Sequence, residues 1–137
     1  MATDVYDPVY FPALFAVEDR HFWFQGRNAA LQAAVTRLRP KLPRHFRGIE
    51  VGCGTGNTLR MLAEVAGGSI VGLDLFAPGL NYARRRVSCP LLQADLRQLP
   101  FGRAFDFVGL FDVLEHLPDD VAALRHLHAV LRPGGFL

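Results

Sequence analysis

The sequence predicts an α/β fold in which a parallel sheet is covered by helices on both faces. Short apolar segments alternate along the chain with stretches of helical periodicity, an order typical of strands joined by helical crossovers. Closely spaced glycines, Gly52, Gly54 and Gly56, follow the first apolar segment, and Asp74 ends the second. Because right-handed crossovers bring the carboxyl ends of parallel strands to one edge, we expect the functional residues at that edge.

The N-terminal third is predicted to be an aromatic segment followed by a helix. Residues 1–26 are rich in aromatic side chains, which must pack against something. An apolar face of helical spacing then predicts a helix over 27–39, which ends before two prolines. Ile49 to Val51 is predicted as strand one, and a helix follows the glycines over 57–66, where glycine ends it.

The remaining elements continue the alternation of strand and helix. Ile70 to Leu73 is predicted as strand two, and Ala77-Pro78 opens the next helix, since proline suits a first helical turn. Strands three and four are predicted at Leu91 to Ala94 and Phe105 to Phe111. Asp119 or Asp120 then caps a helix whose inner face we expect to contain Val121, Leu124, Leu127 or His128, and Leu131. A turn over 132–135 leads to a fifth strand that starts at Phe136.

Composition excludes several classes of protein. A net charge of +2 is too weak to indicate nucleic-acid binding, and the run Arg84 to Arg86 is predicted to be a solvated helix face. No apolar run reaches the length of a membrane helix, and the N-terminus lacks the pattern of a signal peptide. Cys53 and Cys89 have no metal-ligand spacing. We therefore expect a soluble, cytoplasmic protein with two thiols and no membrane partner.

The spacing of the glycines indicates which nucleotide the turn binds. Dinucleotide-binding turns carry G-x-G-x-x-G, whereas Gly52, Gly54 and Gly56 form G-x-G-x-G and Asn57 stands next. A nicotinamide-dependent oxidoreductase is therefore the weakest of the functions we consider.

At these residues the chain resembles the class I S-adenosylmethionine-dependent methyltransferases of type 11/12. Their first motif is an acidic residue, an apolar residue and G-x-G-x-G, here Glu50 to Gly56. FDFVGLFDVLEHLPD and LRPGGFL resemble the family's fourth strand and its turn into strand five, and EDRHFWFQGRN resembles the region before the core in a subset of members. The motifs from Gly48 onward cover the chain to Leu137.

The resemblance implies a Rossmann-like three-layer sandwich with the sheet order 3-2-1-4-5. It implies a single domain over 1–137, with an N-terminal aromatic lid and helix at 1–47 and the Rossmann-like core at 48–137. Family members continue past strand five into an antiparallel pair of strands, which this sequence lacks. We therefore expect strand five to form an exposed apolar edge that favours homo-oligomers.

The resemblance also assigns the cofactor contacts. S-adenosyl-L-methionine, with S-adenosyl-L-homocysteine as its product, is expected to bind Arg27, Glu50, Gly52, Cys53, Gly54, Gly56, Asp74, Leu75, Asp95, Leu96 and Phe111. Asp74 would accept hydrogen bonds from the ribose hydroxyls, and Asp95 from the adenine amino group. Both aspartates fit an alternative role as helix caps. His21, Trp23 and Arg27 form either a lid over the cofactor, with Arg27 on its carboxylate, or an aromatic clasp on the first helix.

His116 is the candidate catalytic base for a hydroxyl acceptor, and its alternative is a structural residue bonded to backbone. Asp112, Glu115 and His116 have the i, i+3, i+4 spacing of a helical metal site, but Asp replaces the first Glu of the family's metal-binding cluster, so we expect no metal.

The leading hypothesis is in-line methyl transfer to a small-molecule acceptor. The alternative is a non-catalytic binding or scaffold protein that keeps the fold, or a fragment completed by a partner chain.

Overall fold

The computed structural model of the chain describes residues 6–67 and 69–137. Within them, five parallel strands form one sheet in the order β3-β2-β1-β4-β5, which confirms the predicted order. The strands are β1 (Arg47–Val51), β2 (Ser69–Asp74), β3 (Leu91–Gln93), β4 (Phe105–Leu110) and β5 (Leu131–Phe136). The order reverses between β1 and β4, and such a reversal opens a crevice at the carboxyl ends of the strands.

Helices connect the strands and precede the first of them. They are α1 (Phe11–Val17), α2 (Phe22–Leu38), α3 (Asn57–Ala66), α4 (Ala77–Ala83) and α5 (Asp120–Val130). The prediction for α2 began five residues late, because the imidazole Nδ1 of His21 accepts the amide N–H of Trp23 and caps the helix there. Among the residues that the structure describes, no helix is long and apolar enough to cross a bilayer.

Helices cover both faces of the sheet, which gives three layers. On one face α2, α3 and α4 pack over a core that includes the fully buried Leu59 and Leu62. On the other face α5 packs over Ile49, Val51 and Val108. The central strand β1 is buried from Gly48 to Val51, as expected for a parallel strand with both faces covered.

The predicted inner face of α5 is right at Leu127 but wrong at Val121 and Leu124. Ala123, Leu127 and Val130 are the buried residues, whereas Val121 is 52% and Leu124 36% exposed. The sequence of α5 contains two overlapping apolar faces of helical period, and local periodicity does not distinguish them. The N-cap at Asp119, whose carboxylate accepts the amide of Ala122, agrees with one of the two predicted caps.

Strand β5 begins five residues earlier than predicted. It starts at Leu131 directly after α5, and its pairing with β4 shifts register between the pairs Phe105 with Leu131 and Phe107 with Phe136. The extra residues form an irregular bulge that contains Pro133. An edge strand tolerates proline because one of its sides makes no ladder hydrogen bonds, so the missing amide hydrogen is not needed there. The predicted turn therefore lies within the strand.

Arg86 does not lie on a solvated helix face. Helix α4 ends at Ala83, so the three consecutive arginines do not share one face, and the Arg86 side chain is only 3% exposed. Arg84 and Arg85 remain exposed, as predicted.

We expect Gly52→Ala to destabilise the protein by about 2 kcal/mol or more. Gly52 has a φ of +77°, and an added Cβ would lie 2.3 Å from Cγ2 of Val113. Urea unfolding would measure the loss. The matched control is Gly102→Ala, where a Cβ meets nothing within 4 Å, and its change should stay within about 0.5 kcal/mol. Equal free energies of unfolding for the two variants would contradict the claim that a side chain at Gly52 is strained.

Candidate functional site

The glycine turn lies at the carboxyl end of β1 and is hydrogen-bonded to the end of β2. The amides of Gly52 and Cys53 donate to the carbonyl oxygen of Leu73, at 2.7 and 3.0 Å. The amide of Gly54 donates to Oδ2 of Asp74 at 2.7 Å. The left-handed φ of the glycines allows this tight path, because it points consecutive amides toward the neighbouring strand. The turn and Asp74 therefore form one unit.

Asp74 is buried at the end of β2, with 6% of its surface exposed. Besides the Gly54 amide, it accepts the amide of Phe76 at 2.8 Å through Oδ1. Burial raises the pKa of the Asp74 carboxyl, and the amide hydrogen bonds oppose that rise. The next residue, Leu75, is exposed although it is apolar. A buried acceptor beside an exposed apolar side chain fits a ligand that has both hydroxyls and a ring.

Glu50 is the most buried carboxyl group of the site. It is 2% exposed, and its Oε2 has no hydrogen-bond partner among the described residues. Burial raises the pKa of Glu50 to about 8; the Arg27 guanidinium opposes the shift, and the negative charges of Asp74 and Asp112 add to it. An unpaired buried acceptor is costly, so this oxygen is available to a donor group of a ligand.

Arg27 reaches the site from α2 and is held by side chains from two other segments. Its Nη1 donates to Oδ2 of Asp112 at 2.5 Å, and its Nη2 to Asn57 and Thr58 at 3.2 and 3.1 Å. Asp112 has a φ of +54°, which is uncommon for a residue other than glycine and places its carboxylate on Arg27. A ligand carboxylate would compete with Asp112 for this guanidinium. The sequence predicted Arg27 as a site residue but did not predict its contacts with Asp112, Asn57 and Thr58.

Asp95 and Leu96 lie just after β3. The Asp95 carboxylate accepts the amide of Arg97 and caps a short 3₁₀ turn, which matches the alternative role as a cap. The Arg97 guanidinium also pairs with it at 2.6 Å and holds the pKa of Asp95 below its usual range. Leu96 is half-buried and packs on the core of the α5 face. Contact of either residue with adenine stays a prediction.

Phe111 follows β4, which ends one residue earlier than predicted. Its ring folds back over Gly109, where a Cβ would lie 2.7 Å from it, and it lines an apolar groove of about 500 Å³. Side chains from α2, β4, the 3₁₀ turn after β4, α5 and the C-terminus line this groove, among them Leu31, Ala34, Val35, Leu38, Phe107, Leu114, Leu124, Phe136 and Leu137. Contact of Phe111 with the cofactor stays a prediction.

The loop after β4 does not form the helical turn that a metal site would need. Asp112 lies outside the short 3₁₀ turn Leu114–His116, and its positive φ breaks the helical path. Within residues 6–67 and 69–137, no three His, Cys, Asp or Glu side chains come together to hold a metal ion. His116 is exposed, and its ring lies 6.0 Å from that of Tyr6. Its catalytic role stays a prediction.

The N-terminal segment lies over the glycine turn through residues other than those predicted for the lid. Phe11 is buried, and its ring lies 3.5 Å from the position of a Cβ on Gly54. His21 caps α2, and the half-exposed Trp23 packs on the Arg27 guanidinium with 5.2 Å between Cζ and the ring centroid. The segment over the turn is therefore α1, and Trp23 packs against Arg27.

Cys53 lies between two glycines of the turn. It is buried, and burial raises the pKa of its thiol, so it stays protonated at neutral pH. A nucleophile would need the thiolate. Cys53 therefore contributes its backbone amide and its small volume.

Several polar residues that contact one another around the site were not predicted from the sequence as site residues. They are Glu18, Thr55, Asn57, Thr58, Arg86 and Asp112. The first five are buried or nearly buried polar side chains, and their partners are distant in sequence. Asp112 was considered only as a metal ligand. A polar residue flanked by motif glycines, such as Thr55, is the one signal that could have indicated such a contact.

We expect Glu50→Gln to flatten the pH dependence of stability. The folded-state pKa of about 8 lies above the ordinary value, so the folded protein binds more protons between about pH 4.5 and 8. The contribution of Glu50 to the free energy of unfolding therefore decreases as pH rises through that window. In the variant this decrease should be absent. Urea unfolding at pH 5 and pH 8 measures it. The exposed Glu64→Gln on α3 is the control, and parallel curves for wild type and Glu50→Gln would contradict the prediction.

Comparisons with known proteins identify the family of the chain. The family described as "Methyltransferase domain" matches residues 49–137. The demethylmenaquinone methyltransferase of Staphylococcus epidermidis is 32% identical over 98 residues, which are 66% of this chain and 41% of that protein. The ubiquinone/menaquinone biosynthesis C-methyltransferase UbiE of Coxiella burnetii is 31% identical over 114 residues, 76% of this chain and 45% of that protein. The chain thus spans less than half the length of these relatives.

Solved structures show the same fold. The magnesium protoporphyrin IX methyltransferase of Synechocystis, determined with bound S-adenosylmethionine, superposes with a TM-score of 0.67 at 23% identity. The match covers 78% of this chain and 54% of that one. The family match extends from β1 to Leu137, the sheet has the order 3-2-1-4-5, and the glycine turn is hydrogen-bonded to Asp74. The chain therefore belongs to the class I S-adenosylmethionine-dependent methyltransferases.

Proposed function

We propose that this chain binds S-adenosylmethionine at the carboxyl edge of its sheet and transfers the methyl group to a small-molecule acceptor. The observation that carries the proposal is the unit formed by the glycine turn and Asp74, beside a buried carboxyl group, Glu50, with an unpaired oxygen. Residues 1–47 and 48–137 act as one cofactor-binding domain, because Arg27 reaches from the first part to Asp112 in the second.

The donors and acceptors of the site fit the parts of this cofactor. Asp74 offers carboxylate oxygens to the ribose hydroxyls, and the unpaired Oε2 of Glu50 offers an acceptor to the ammonium group. Arg27 offers a guanidinium to the carboxylate, in competition with Asp112. Gly54 presents bare backbone to this space, with the ring of Phe11 beside it. Leu75, which is exposed, would pack on the adenine, with Asp95 and Leu96 at its far edge.

The cofactor supplies a methyl group on a sulfonium, which is already a good electrophile. The protein's part is to orient the acceptor, exclude water and, where the acceptor is a hydroxyl, remove a proton. The exposed imidazole of His116, beside Tyr6, is the proposed base for that last step. No metal ion is needed for this chemistry.

The acceptor that we propose to test first is a quinol. Both relatives described above are named for menaquinone or ubiquinone biosynthesis, which makes a reduced naphthoquinone or benzoquinone the first candidate class. A transfer assay over quinols, sugars and amines would distinguish the enzyme from a non-catalytic binder. Cofactor binding without transfer to any of them would favour the binder.

We expect Asp74→Asn to weaken S-adenosylhomocysteine binding at least tenfold, about 1.4 kcal/mol. The amide keeps the size and one acceptor oxygen but loses the charge and the second acceptor. Isothermal titration calorimetry measures the dissociation constant. The exposed Glu64→Gln on α3 is the control and should bind as wild type does.

Unchanged affinity in Asp74→Asn would remove Asp74 from the site. A wild-type protein that binds no cofactor at millimolar concentration would overturn the proposed function. NADH fluorescence titration tests the oxidoreductase alternative in the same samples.

We also expect the chain to associate in solution through β5. Among the described residues this strand pairs only with β4, and beside it the apolar groove is lined by Phe136 and Leu137. An edge strand next to an apolar surface favours pairing with a second copy. Light scattering measures the mass. Phe136→Lys should shift a dimer toward the monomer, and a monomeric wild type would contradict the expectation.

A further inference from the structure

The side chains of Glu18, Thr55 and Arg86 form a buried polar cluster, which we call the Arg86 latch. Nη1 of Arg86 donates to Oε2 of Glu18 at 2.5 Å and to the hydroxyl oxygen of Thr55 at 2.9 Å. The Thr55 hydroxyl in turn donates to the same Glu18 oxygen at 2.6 Å. All three side chains are almost fully removed from solvent. The cluster is therefore a closed set of charge-assisted hydrogen bonds.

The latch joins three segments that are distant in sequence. Glu18 follows α1, Thr55 lies between the second and third glycines of the turn, and Arg86 follows α4. The guanidinium also donates to two backbone carbonyl oxygens, that of Phe15 in α1 at 3.1 Å and that of Thr55 at 3.3 Å. It lies over the ring of Phe15, with 4.2 Å between Cζ and the centroid. One side chain thus holds both α1 and the glycine turn.

The segment that the latch holds lies on the proposed cofactor site. Phe11 of α1 packs against Gly54 and Gly79, where an added Cβ would lie 3.5 and 2.9 Å from its ring. Gly54 is the residue whose amide donates to Asp74. A ligand at Gly54 and Asp74 would therefore lie beside α1, the segment to which Arg86 and Glu18 are bonded.

Stability alone is a weak explanation for this cluster. Replacing a buried ion pair by apolar residues of similar volume is often neutral or stabilising, because both charges lose their hydration. Nε of Arg86 is buried and has no hydrogen-bond partner among the described residues, which adds to the cost. What the pair provides beyond stability is a defined position for Thr55, since its hydroxyl and its carbonyl are both held.

We propose that Arg86 is a positioning residue of the cofactor site. It fixes the glycine turn through Thr55 and, through Glu18 and the Phe15 carbonyl, closes α1 over the bound cofactor, which slows cofactor release. This inference rests on the proposed function. It also gives Glu18, the first of the two acidic residues of the EDRHFWFQGRN segment, a role apart from the cofactor contacts.

The test compares Arg86→Met with Arg85→Met. Arg85 is the exposed neighbour, and its Cζ lies 4.6 Å from the centroid of the same Phe15 ring, so its variant removes an adjacent arginine without the latch. Stopped-flow and calorimetric measurements with S-adenosylhomocysteine should show at least tenfold weaker binding and faster release for Arg86→Met. Hydrogen exchange over 11–17 should slow on cofactor binding in wild type and in Arg85→Met, but not in Arg86→Met.

A double variant separates positioning from stability. In Glu18→Leu with Arg86→Met, apolar side chains replace the pair, and we expect Tm to recover to within a few degrees of wild type while affinity stays at least fivefold weaker. Affinity that recovers together with Tm would overturn the proposal. If Arg86→Met does not fold, Thr55→Val keeps the shape of the turn and removes the hydroxyl, and it should weaken binding at least threefold.

The outcomes for the two proposals differ. Wild-type protein that binds no S-adenosylhomocysteine overturns the proposed function and the inference with it. Binding by wild type that a folded Arg86→Met or Thr55→Val leaves unchanged overturns the latch alone.

Discussion

The hydrogen bond from the Gly54 amide to the Asp74 carboxylate is the contact on which the arrangement of the site depends. It joins the turn after β1 to the end of β2, so that the backbone of one strand and the side chain of its neighbour face the same space. The positive φ of the glycines in the turn directs the amides this way. The close packing of Val113 on Gly52 and of Ala83 on Gly56 then leaves no room for a side chain at these two positions.

Buried charge is concentrated at this edge of the sheet. Glu50, Asp74 and Glu18 are all nearly removed from water, and among the described residues only Glu18 of the three forms an ion pair with an arginine. Glu50 keeps an unpaired oxygen, and burial raises its pKa to about 8. A buried titratable group with a strongly shifted pKa, in a cleft, marks a candidate functional site. The site therefore suits a molecule with an ammonium group, a carboxylate and hydroxyls.

Arg27 and Arg86 bind different carboxylates. Arg27 faces Asp112 and carries the contacts that a ligand carboxylate would compete for. Arg86 faces Glu18 and holds Thr55, so it acts on the turn from within the protein. Both connect the N-terminal segment to the Rossmann-like core, over 85 and 68 residues of sequence respectively. These contacts hold α1 and α2 against the core of the sheet.

The sequence alone determined the alternation of strands and helices, the glycine turn and the carboxylate after β2, because each depends on short-range patterns. Helix α3 was predicted with its observed ends, since glycines at both ends adopt the left-handed conformation that bounds a helix. Only the tertiary structure decided that Arg86 is buried, which apolar face of α5 packs inward and where β5 begins. These features depend on partners brought together from distant parts of the chain, and local periodicity contains no information about them.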